Sequence, residues 1–323
     1  MKSPFTITNG ILNLCTEITL SLGRYEGLSL PVPAPELRRH NRIRTIQSSL
    51  AIEGNTLTID QVTDILNNKR VVGPKKDILE VKNAIEAYEH LPQYHVETLK
   101  SLLEAHQILM DGLVKESGKL RTSNVAVKAG EKIIHLAPKY TQVPALMDNL
   151  FIFLREEKDV HPLIKSSIFH YEFEFIHPFI DGNGRLGRLW QSAILYHYRS
   201  LFEYVPIESV IRKRQAEYYD VLQQCDERGE STEFIKFILE AIQEAVLDFT
   251  KQLRPQRQLA ALRLEMARNK FGQKFFTRKD YLEIHPQIST ATASRDLEWG
   301  ASKKSLKKIG HKAVTRYQFT GIG

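Results

Sequence analysis

The stretch that decides both fold and chemistry in this 323-residue chain is HPFIDGNGRLGR, residues 177–188. Gly182 and Gly184 permit backbone conformations with positive φ and let a bound group approach the main chain closely. The stretch leads into a predicted helix that begins near Gly184. Because unpaired N–H groups and the dipole at the start of a helix attract anions, the stretch predicts a phosphate-binding turn.

Four side chains of the stretch supply the chemistry that a phosphate site needs. Arg185 and Arg188 are three residues apart, so they share one face of the helix and can bind the same phosphates. Asp181 offers a hard oxygen ligand for Mg²⁺, and His177 can accept a proton near neutral pH. Together they predict a site for a nucleoside triphosphate and Mg²⁺ beside a general base.

Other interpretations of the same residues need weighing. The glycine spacing G-x-G-x-x-G also matches a dinucleotide-binding fingerprint, but that motif follows a buried strand, whereas Glu174–Ile180 is polar and contains a proline. A Walker A loop would need Gly-Lys-Ser or Gly-Lys-Thr, which the sequence lacks. His177 and His170 could bind a metal, but no third ligand stands at a convincing spacing.

The surroundings of the stretch predict a mostly α-helical protein. Apolar residues recur at spacings of three and four along Pro35–Ile52 and along much of the chain. Thr58, with a glutamine three residues later, forms a capping box at the start of another helix. The exception is Thr122–Leu136, where two short apolar runs around Gly130 predict a β-hairpin. An isolated hairpin is marginally stable, so we expect it to pack on helices or to bind something.

A change of pattern at Pro255 predicts two domains, residues 1–254 and 255–323. Three helical stretches and two short strands follow this proline. That order is typical of a winged helix-turn-helix, a small α+β domain.

DNA is a candidate partner of the second domain. Ser289 caps the predicted recognition helix, and the basic loop Gly310–Arg316 would be the wing. Lysine and arginine neutralise phosphates, which favours DNA. Asp296 and Glu298 weaken this helix as a reader of DNA, and winged helices also bind proteins or dimerise.

Composition sets broader limits. The formal charge of +7 and the pI of about 9.2 permit an anionic partner. The chain has two cysteines, Cys15 and Cys225, which are far apart and have no metal-ligand spacing. No apolar run reaches the length of a membrane span, and the first residues do not resemble a signal peptide. We therefore expect a soluble cytoplasmic protein without membrane contact.

Residues 177–188 resemble the signature of the Fic family, His-Pro-Phe-x-(Asp/Glu)-Gly-Asn-Gly-x-x-x-Arg, and meet every fixed position. The resemblance extends from about Leu37 to Thr250 and, more weakly, into the C-terminal domain. It implies a Fido-type helical bundle with a β-hairpin flap. It also implies transfer of AMP from ATP to a Ser, Thr or Tyr hydroxyl of a target protein. A relative with Lys at the position of Gly184 phosphorylates instead, so this glycine favours nucleotide transfer.

The resemblance also implies roles for single residues. His177 would be the general base, Asp181 would hold Mg²⁺ between the α- and β-phosphates, and Phe179 would pack inward. The residues implied to bind ATP are Gly182, Asn183, Gly184, Arg185, Arg188, Tyr218 and Tyr219. The first three would form an anion hole, the arginines would hold the β- and γ-phosphates, and the tyrosines would contact the adenine. Helix packing explains the tyrosines equally well.

A second match lies upstream, where Ser49–Gly54 (SLAIEG) resembles the family's inhibitory motif Ser/Thr-x-x-x-Glu-Gly/Asn. The spacing places Ser49 and Glu53 on one helix face. The resemblance implies that Glu53 pairs with Arg188 and so occupies the arginine meant for the γ-phosphate. We place this inhibitory helix at about residues 37–54.

The leading hypothesis is a self-inhibited protein adenylyltransferase, an enzyme that labels a target protein or itself. One alternative is a DNA-binding regulator whose Fic domain senses a nucleotide. Another is a de-AMPylating Fic enzyme, in which Glu53 would position water. The target and the nucleotide preference are not encoded in any recognisable motif. A homodimer is a further candidate assembly.

Overall fold

The structure, a computed structural model, describes residues 4–27, 33, 35–129, 132–252, 255–310 and 315–320. The chain divides into two compact units, the larger of Met1–Arg24 with Val32–Thr250 and the smaller of Lys251–Gly323 with Tyr25–Pro31. The division after Thr250 lies close to the change of sequence pattern at Pro255.

Helices dominate the described residues before position 253. They are α1 (Asn9–Gly27), α2 (Pro35–Ile52), α3 (Ile59–Leu66), α4 (Lys75–Glu89), α5 (Leu99–Leu109), α6 (Val143–Glu156), α7 (Pro162–Ile176), α8 (Asn183–Tyr198), α9 (Ile207–Lys213), α10 (Gln215–Arg228) and α11 (Thr232–Gln252). Short 3₁₀ helices lie at Leu91–Gln93, Tyr140–Gln142 and Ser200–Tyr204. The prediction of a mostly α-helical fold is therefore confirmed. In the described part of the chain, no helix combines the length and apolar composition that a membrane span requires.

The predicted β-hairpin is present between α5 and α6. Strands β1 (Ala126–Ala129) and β2 (Lys132–Leu136) pair antiparallel, with Ala126 opposite Leu136. The register of the pair shifts between Val127 and Lys128. The predicted turn residue Gly130 and its neighbour Glu131 lie outside the described residues.

Helices α7 and α8 pack against each other and form the centre of the larger unit. Their shared interface holds fully buried aromatic side chains, among them Phe169, Phe173 and Trp190. Gly187 permits the close approach, because a Cβ atom there would lie 2.9 Å from Glu174 Oε1 and 3.2 Å from the Phe173 ring. The loop of residues 177–182 therefore connects two helices that are closely packed against each other.

Helix α2 packs against α9 and brings its C-terminal end to α8. The Asn41 side-chain amide donates to the carbonyl of Tyr204 at 3.0 Å and fixes the helix along its length. After α2, Thr58 caps α3 by accepting from the Gln61 N–H, and the Gln61 side chain accepts from the Thr58 N–H. The predicted capping box is thus confirmed.

The smaller unit has its own core. Its elements are α12 (Pro255–Phe271), α13 (Arg278–Ile284), α14 (Thr290–Ser302), β3 (Leu306–Ile309) and β4 (Arg316–Phe319). The two strands pair antiparallel, and Phe276 adds an isolated bridge to Tyr317 on the other side of β4. Ser289 caps α14, as predicted. Residues 311–314 of the predicted wing loop lie outside the described residues.

Candidate active site

The turn of residues 177–182 is set by two left-handed residues. His177 ends α7 with φ 49° and ψ 61°, and Gly182 precedes α8 with φ 88° and ψ 5°. The Asn183 side chain closes the turn, because its Oδ1 accepts from the Phe179 N–H and its Nδ2 donates to the Phe179 carbonyl, both at 2.9 Å. A helix, not a strand, precedes the turn, which rules out the dinucleotide-binding interpretation.

Gly182 and Gly184 differ in why they must be glycine. Gly182 needs the left-handed conformation, whereas Gly184 has no positive φ and lies in the first turn of α8. The expectation of positive φ was thus correct for the first glycine only. At Gly184 the reason is close approach, because a Cβ atom would collide with Glu53 Oε1 and lie 3.1 Å from Arg188 Nη1.

His177 is partly accessible, with 19% of its side chain exposed. Its Nδ1 lies 3.4 Å from the Glu174 carbonyl oxygen and 4.0 Å from the Glu174 carboxylate. Both contacts favour the tautomer with the proton on Nδ1, in which Nε2 carries the lone pair that can accept a proton. Nε2 is therefore the ring nitrogen that could accept a proton from a substrate.

Arg188 is 1% exposed and makes three hydrogen bonds to residues at the C-terminal end of α2 and just beyond it. Its Nε donates to Ser49 Oγ at 3.1 Å, and its Nη2 donates to the Ser49 carbonyl at 2.9 Å and to Glu53 Oε1 at 2.7 Å. Burial alone would lower the pKa of Arg188, but the Glu53 carboxylate raises it above its usual value. The structure thus places the predicted inhibitory residues directly on this arginine.

Arg185 and Asp181 form a second polar group beside the first. Arg185 is 4% exposed, and its guanidinium donates to Asp181 Oδ1 and to Glu80 Oε1, each at 2.9 Å. Glu80 is buried and also accepts from the Asn55 amide at 2.8 Å. The sequence did not predict Glu80 or Asn55 as site residues, because they are distant from Arg185 in the chain and carry no local motif.

His106 contacts the turn through Phe179 and Asp181. The sequence did not predict this residue either. Its ring stacks on Phe179, with centroids 3.7 Å apart, and its Nε2 lies 3.0 Å from the Asp181 carbonyl. The Gly118 N–H donates to Nδ1 at 2.8 Å, which assigns the proton to Nε2. Burial lowers the pKa of His106 from 6.5 to about 4, so the ring is neutral at physiological pH. The predicted inward packing of Phe179 is part of this stack.

Arg121 is a fourth residue that sequence reasoning missed. It is 3% exposed, and its guanidinium donates to main-chain carbonyls, including that of His177 at 2.8 Å. Burial lowers its pKa. The residue lies directly before the predicted hairpin, but nothing in the local sequence marks it as part of the site.

The two predicted adenine-contacting tyrosines have different environments. Tyr218 is 1% exposed, its hydroxyl lies 3.1 Å from His170 Nε2, and its ring packs on Phe234. The burial of Tyr218 fits the alternative of helix packing, and its contact with the adenine stays a prediction. Tyr219 is half-buried, and both Glu53 and Arg188 influence its pKa, which burial raises to about 12. Arg188 and Glu53 also influence the pKa of Tyr218, so both tyrosines lie near the site, and Tyr219 is the more exposed of the two.

Comparison with known proteins agrees with this geometry. The model of the Fic/DOC family matches residues 97–195, which include the whole turn. Proteins named protein adenylyltransferase Fic from Drosophila erecta and Nematostella vectensis are each 30% identical to this chain over 62% of its length. These alignments cover 40% and 47% of the two relatives, so the chain spans less than half of their length.

A solved structure covers more of the chain. The crystal structure of a Fic family protein from Desulfovibrio desulfuricans G20 is 40% identical, with a TM-score of 0.73. The match covers 100% of this chain and 99% of that one, and therefore includes both compact units. The turn, the arginines and the similarity over the full length lead to one conclusion: the chain belongs to the Fic family.

Proposed function

We propose that this protein transfers AMP from ATP to a hydroxyl group of a target protein, and that Glu53 restrains this activity. The observation that carries the proposal is the ion pair between Glu53 Oε1 and the buried Arg188, at 2.7 Å. The same carboxylate oxygen lies against Gly184, at the start of α8. Glu53 therefore occupies a position suited to an anionic group of a nucleotide.

The chain's own residues account for the chemistry. The N–H groups at the start of α8 and the Arg188 guanidinium would hold the phosphates once Glu53 moves away. The acceptor hydroxyl would attack the α-phosphorus while His177 takes its proton. The bond from this phosphorus to the β-phosphate oxygen breaks, and pyrophosphate leaves. Such a reaction depends mainly on positioning and on charge stabilisation, which this turn supplies.

Asp181 fits a role in holding Mg²⁺. Its side chain is 47% exposed, and its Oδ1 is oriented by the Gly182 N–H and by Arg185. Among the described residues there is no group of three His, Cys, Asp or Glu that could hold a metal ion alone. One carboxylate acting together with substrate phosphates is a common set of Mg²⁺ ligands. When bound, the ion would offset the negative charge of the phosphates.

The direct test is removal of the inhibitory carboxylate. We expect Glu53→Gly to raise self-labelling with labelled ATP by roughly 10- to 100-fold, since a hydrogen bond to a charged group is worth about 1.5–3 kcal/mol. His177→Ala in the same background should abolish labelling and retain ATP binding, because it removes the base and not the phosphate site. No increase over the parent would contradict the proposed restraint.

Two controls sharpen this test. Glu36→Gly changes an exposed glutamate at the opposite end of α2 and should leave labelling unchanged. Mass spectrometry of the Glu53→Gly protein, incubated with Mg²⁺ and each nucleoside triphosphate, identifies the transferred group by its mass and the acceptor by the modified peptide. If this variant instead removes AMP from a modified protein more slowly than the parent, the de-AMPylating alternative is the correct one.

We also propose that the smaller unit binds duplex DNA. Residues 251–323 contain 16 Lys and Arg but only five Asp and Glu, whereas the rest of the chain has an excess of acidic residues. Lys307 and Lys308 on β3 and Arg316 on β4 are exposed. The order of helices and strands is that of a winged helix, in which a wing and a helix contact DNA.

The burial of Asp296 supports this second proposal. Its carboxylate is 3% exposed and accepts two hydrogen bonds from Arg263, at 2.6 and 2.8 Å. Its charge is therefore balanced inside the unit and does not repel phosphates from α14, contrary to the concern raised by the sequence. Glu298 remains exposed on this helix.

DNA binding is tested by making the same change in net charge on the smaller unit and, as a control, on the larger unit. Lys307→Glu with Lys308→Glu should weaken duplex binding and make log Kd less dependent on log salt, by roughly one unit of slope for each lost phosphate contact. Lys100→Glu with Lys158→Glu, which makes the same change in net charge on the larger unit, should have little effect. Equal losses in both double variants would mean that only the net charge matters.

The cellular compartment of the protein is also a proposal. Both cysteines are buried free thiols, and burial raises the pKa of each to about 11. Such thiols suit a reducing compartment, and we propose the cytoplasm on that basis. A homodimer stays a prediction, which sedimentation of the full chain would test.

A further inference from the structure

The Arg121 side chain joins two parts of the larger unit that are separate in sequence. Its Nη1 donates to the Ser123 carbonyl at 2.9 Å and its Nη2 to the Pro138 carbonyl at 2.5 Å. These two carbonyls lie just outside the two ends of the hairpin β1–β2. One guanidinium therefore holds both ends of the hairpin together.

The same guanidinium also reaches the turn that carries His177. Its Nε donates to the His177 carbonyl at 2.8 Å, and its Nη2 donates to the Ile176 carbonyl at 3.4 Å. The Arg121 main-chain N–H adds a bond to the Pro178 carbonyl at 2.9 Å. The hairpin ends and the turn are thus fixed to each other through one residue.

The chemistry of this contact is specific to arginine. The side chain is buried, and no carboxylate among the described residues forms an ion pair with it. Its charge is met by carbonyl dipoles alone, which stabilise a buried cation less well than a carboxylate does. The planar guanidinium presents donors on three nitrogens in fixed directions, whereas a lysine ammonium is a compact group that cannot span four separated carbonyls.

We infer that Arg121 is a positioning residue that sets the hairpin at a fixed distance and angle from the His177 ring. This inference rests on the proposed function, in which an acceptor hydroxyl must reach that ring. A protein segment guided by the hairpin would then present its hydroxyl to His177 in a reactive geometry. The phosphate-binding residues, which follow position 181, make no contact with the Arg121 guanidinium and should work without it.

The test compares Arg121→Lys and Arg121→Gln in the full-length Glu53→Gly protein. Amide hydrogen exchange should increase together in two regions. The first is the base of the hairpin, residues 122–126 and 137–139, and the second is the turn, residues 177–180. The rate constant of self-labelling at saturating ATP should fall by about 100-fold, the scale of loss expected for an ångström of misplacement. The KM for ATP should stay within about twofold of the parent, because nucleotide binding is retained.

Arg263→Gln serves as the matched control. It also removes a buried arginine and two hydrogen bonds, but in the smaller unit. Its exchange should rise within residues 255–310 only, and its labelling rate should be unchanged. Arg121→Lys keeps the positive charge, so it still tests the inference if Arg121→Gln fails to fold.

The outcomes separate this inference from the proposed function. Faster exchange in only one of the two regions, or a general loss of stability with the labelling rate retained, would overturn the role of Arg121. If the Glu53→Gly parent labels nothing with ATP, the proposed function fails. The exchange experiment then still decides whether Arg121 joins the hairpin to the turn.

Discussion

At the scale of single residues, the two glycines of the turn meet different physical demands. Alanine at position 182 would face both a left-handed φ of 88° and the Met110 sulfur, 2.6 Å from its Cβ. Alanine at position 184 would meet only the end of the flexible Glu53 side chain and Arg188 Nη1. The first glycine shapes the turn itself, whereas the second leaves room for an anion against the helix.

The two tyrosines of α10 allow a residue-scale prediction. Tyr219→Ala should raise the KM for ATP by roughly tenfold, since loss of an aromatic contact with a base costs about 1–3 kcal/mol. Tyr218→Phe should leave that KM unchanged and lower the free energy of unfolding by about 1 kcal/mol, the value of its hydrogen bond to His170. Steady-state labelling and chemical denaturation measure the two effects. A larger KM change in Tyr218→Phe would show that the assignment is reversed.

Sequence reasoning works at this scale where a motif marks the residues, either within one short stretch or, as for Glu53 and Arg188, in two recognisable stretches. His177, Asp181 and Arg188 were predicted because one short motif contains them all. Glu80 and Arg121 were missed because their partners are reached only through the packing of α4 and of the hairpin base against the turn. For Tyr218, adenine contact and helix packing were predicted as equal alternatives, because local sequence does not specify which face of α10 is buried.

At the scale of secondary-structure elements, the end of α2 determines where Glu53 lies. Gly54 follows with φ 89°, a left-handed conformation that stops the helix and aims the preceding carboxylate at Arg188. Glycine and asparagine tolerate this conformation best. This explains in physical terms why the inhibitory motif allows these two residues after its glutamate.

A substitution at this helix end follows from the same geometry. Gly54→Val should cost about 1–2 kcal/mol of stability, because a β-branched residue is strained at positive φ. It should also raise basal self-labelling several-fold, to a level below that of Glu53→Gly. Gly54→Asn is the matched control and should stay near the parent in both thermal unfolding and labelling. If Val and Asn behave alike, the turn conformation does not set the position of Glu53.

The elements themselves were predicted well where their apolar period is long and their caps are clear. The boundaries of α2 and the capping residues Thr58 and Ser289 were correct. Helix α1 was missed, although Ile11, Cys15, Ile18 and Leu22 form its buried stripe. That spacing is a helical signal, so α1 could have been predicted. Helices α9 and α10 are separated at Arg214, a break that no proline or glycine in the sequence marks.

At the scale of the whole molecule, buried histidines make stability depend on pH, and His106 and His170 have the largest pKa shifts among them. Burial lowers the pKa of His106 to about 4 and that of His170 to about 3. Above pH 6.5 both rings are neutral in the folded and unfolded states. Between pH 6.5 and 4 the unfolded chain gains protons that the folded chain does not, so stability falls as the pH falls. At pH 5 the loss is roughly 2 kcal/mol for each ring.

Thermal unfolding between pH 7 and 5 measures this effect. In His106→Gln the slope of stability against pH should fall, because this ring no longer titrates differently in the folded and unfolded states. The remaining slope comes from His170 and from His161 and His285, whose pKa values burial also lowers. His95→Gln, at an exposed position, should leave the slope as it is in the parent. An unchanged slope in His106→Gln would mean that its ring is already protonated in the folded protein.

The pairing of Arg188 with Glu53 of the same chain has a consequence for how the proposed activity would depend on ATP concentration. Because Glu53 belongs to the same chain, it competes for this guanidinium at an effective concentration that dilution does not change. ATP competes from outside, at whatever level the surroundings supply. The fraction of molecules in which ATP has displaced Glu53 from Arg188 would therefore rise gradually with ATP concentration. The ATP concentration at half-displacement would be set by how closely the end of α2 holds Glu53 to this arginine.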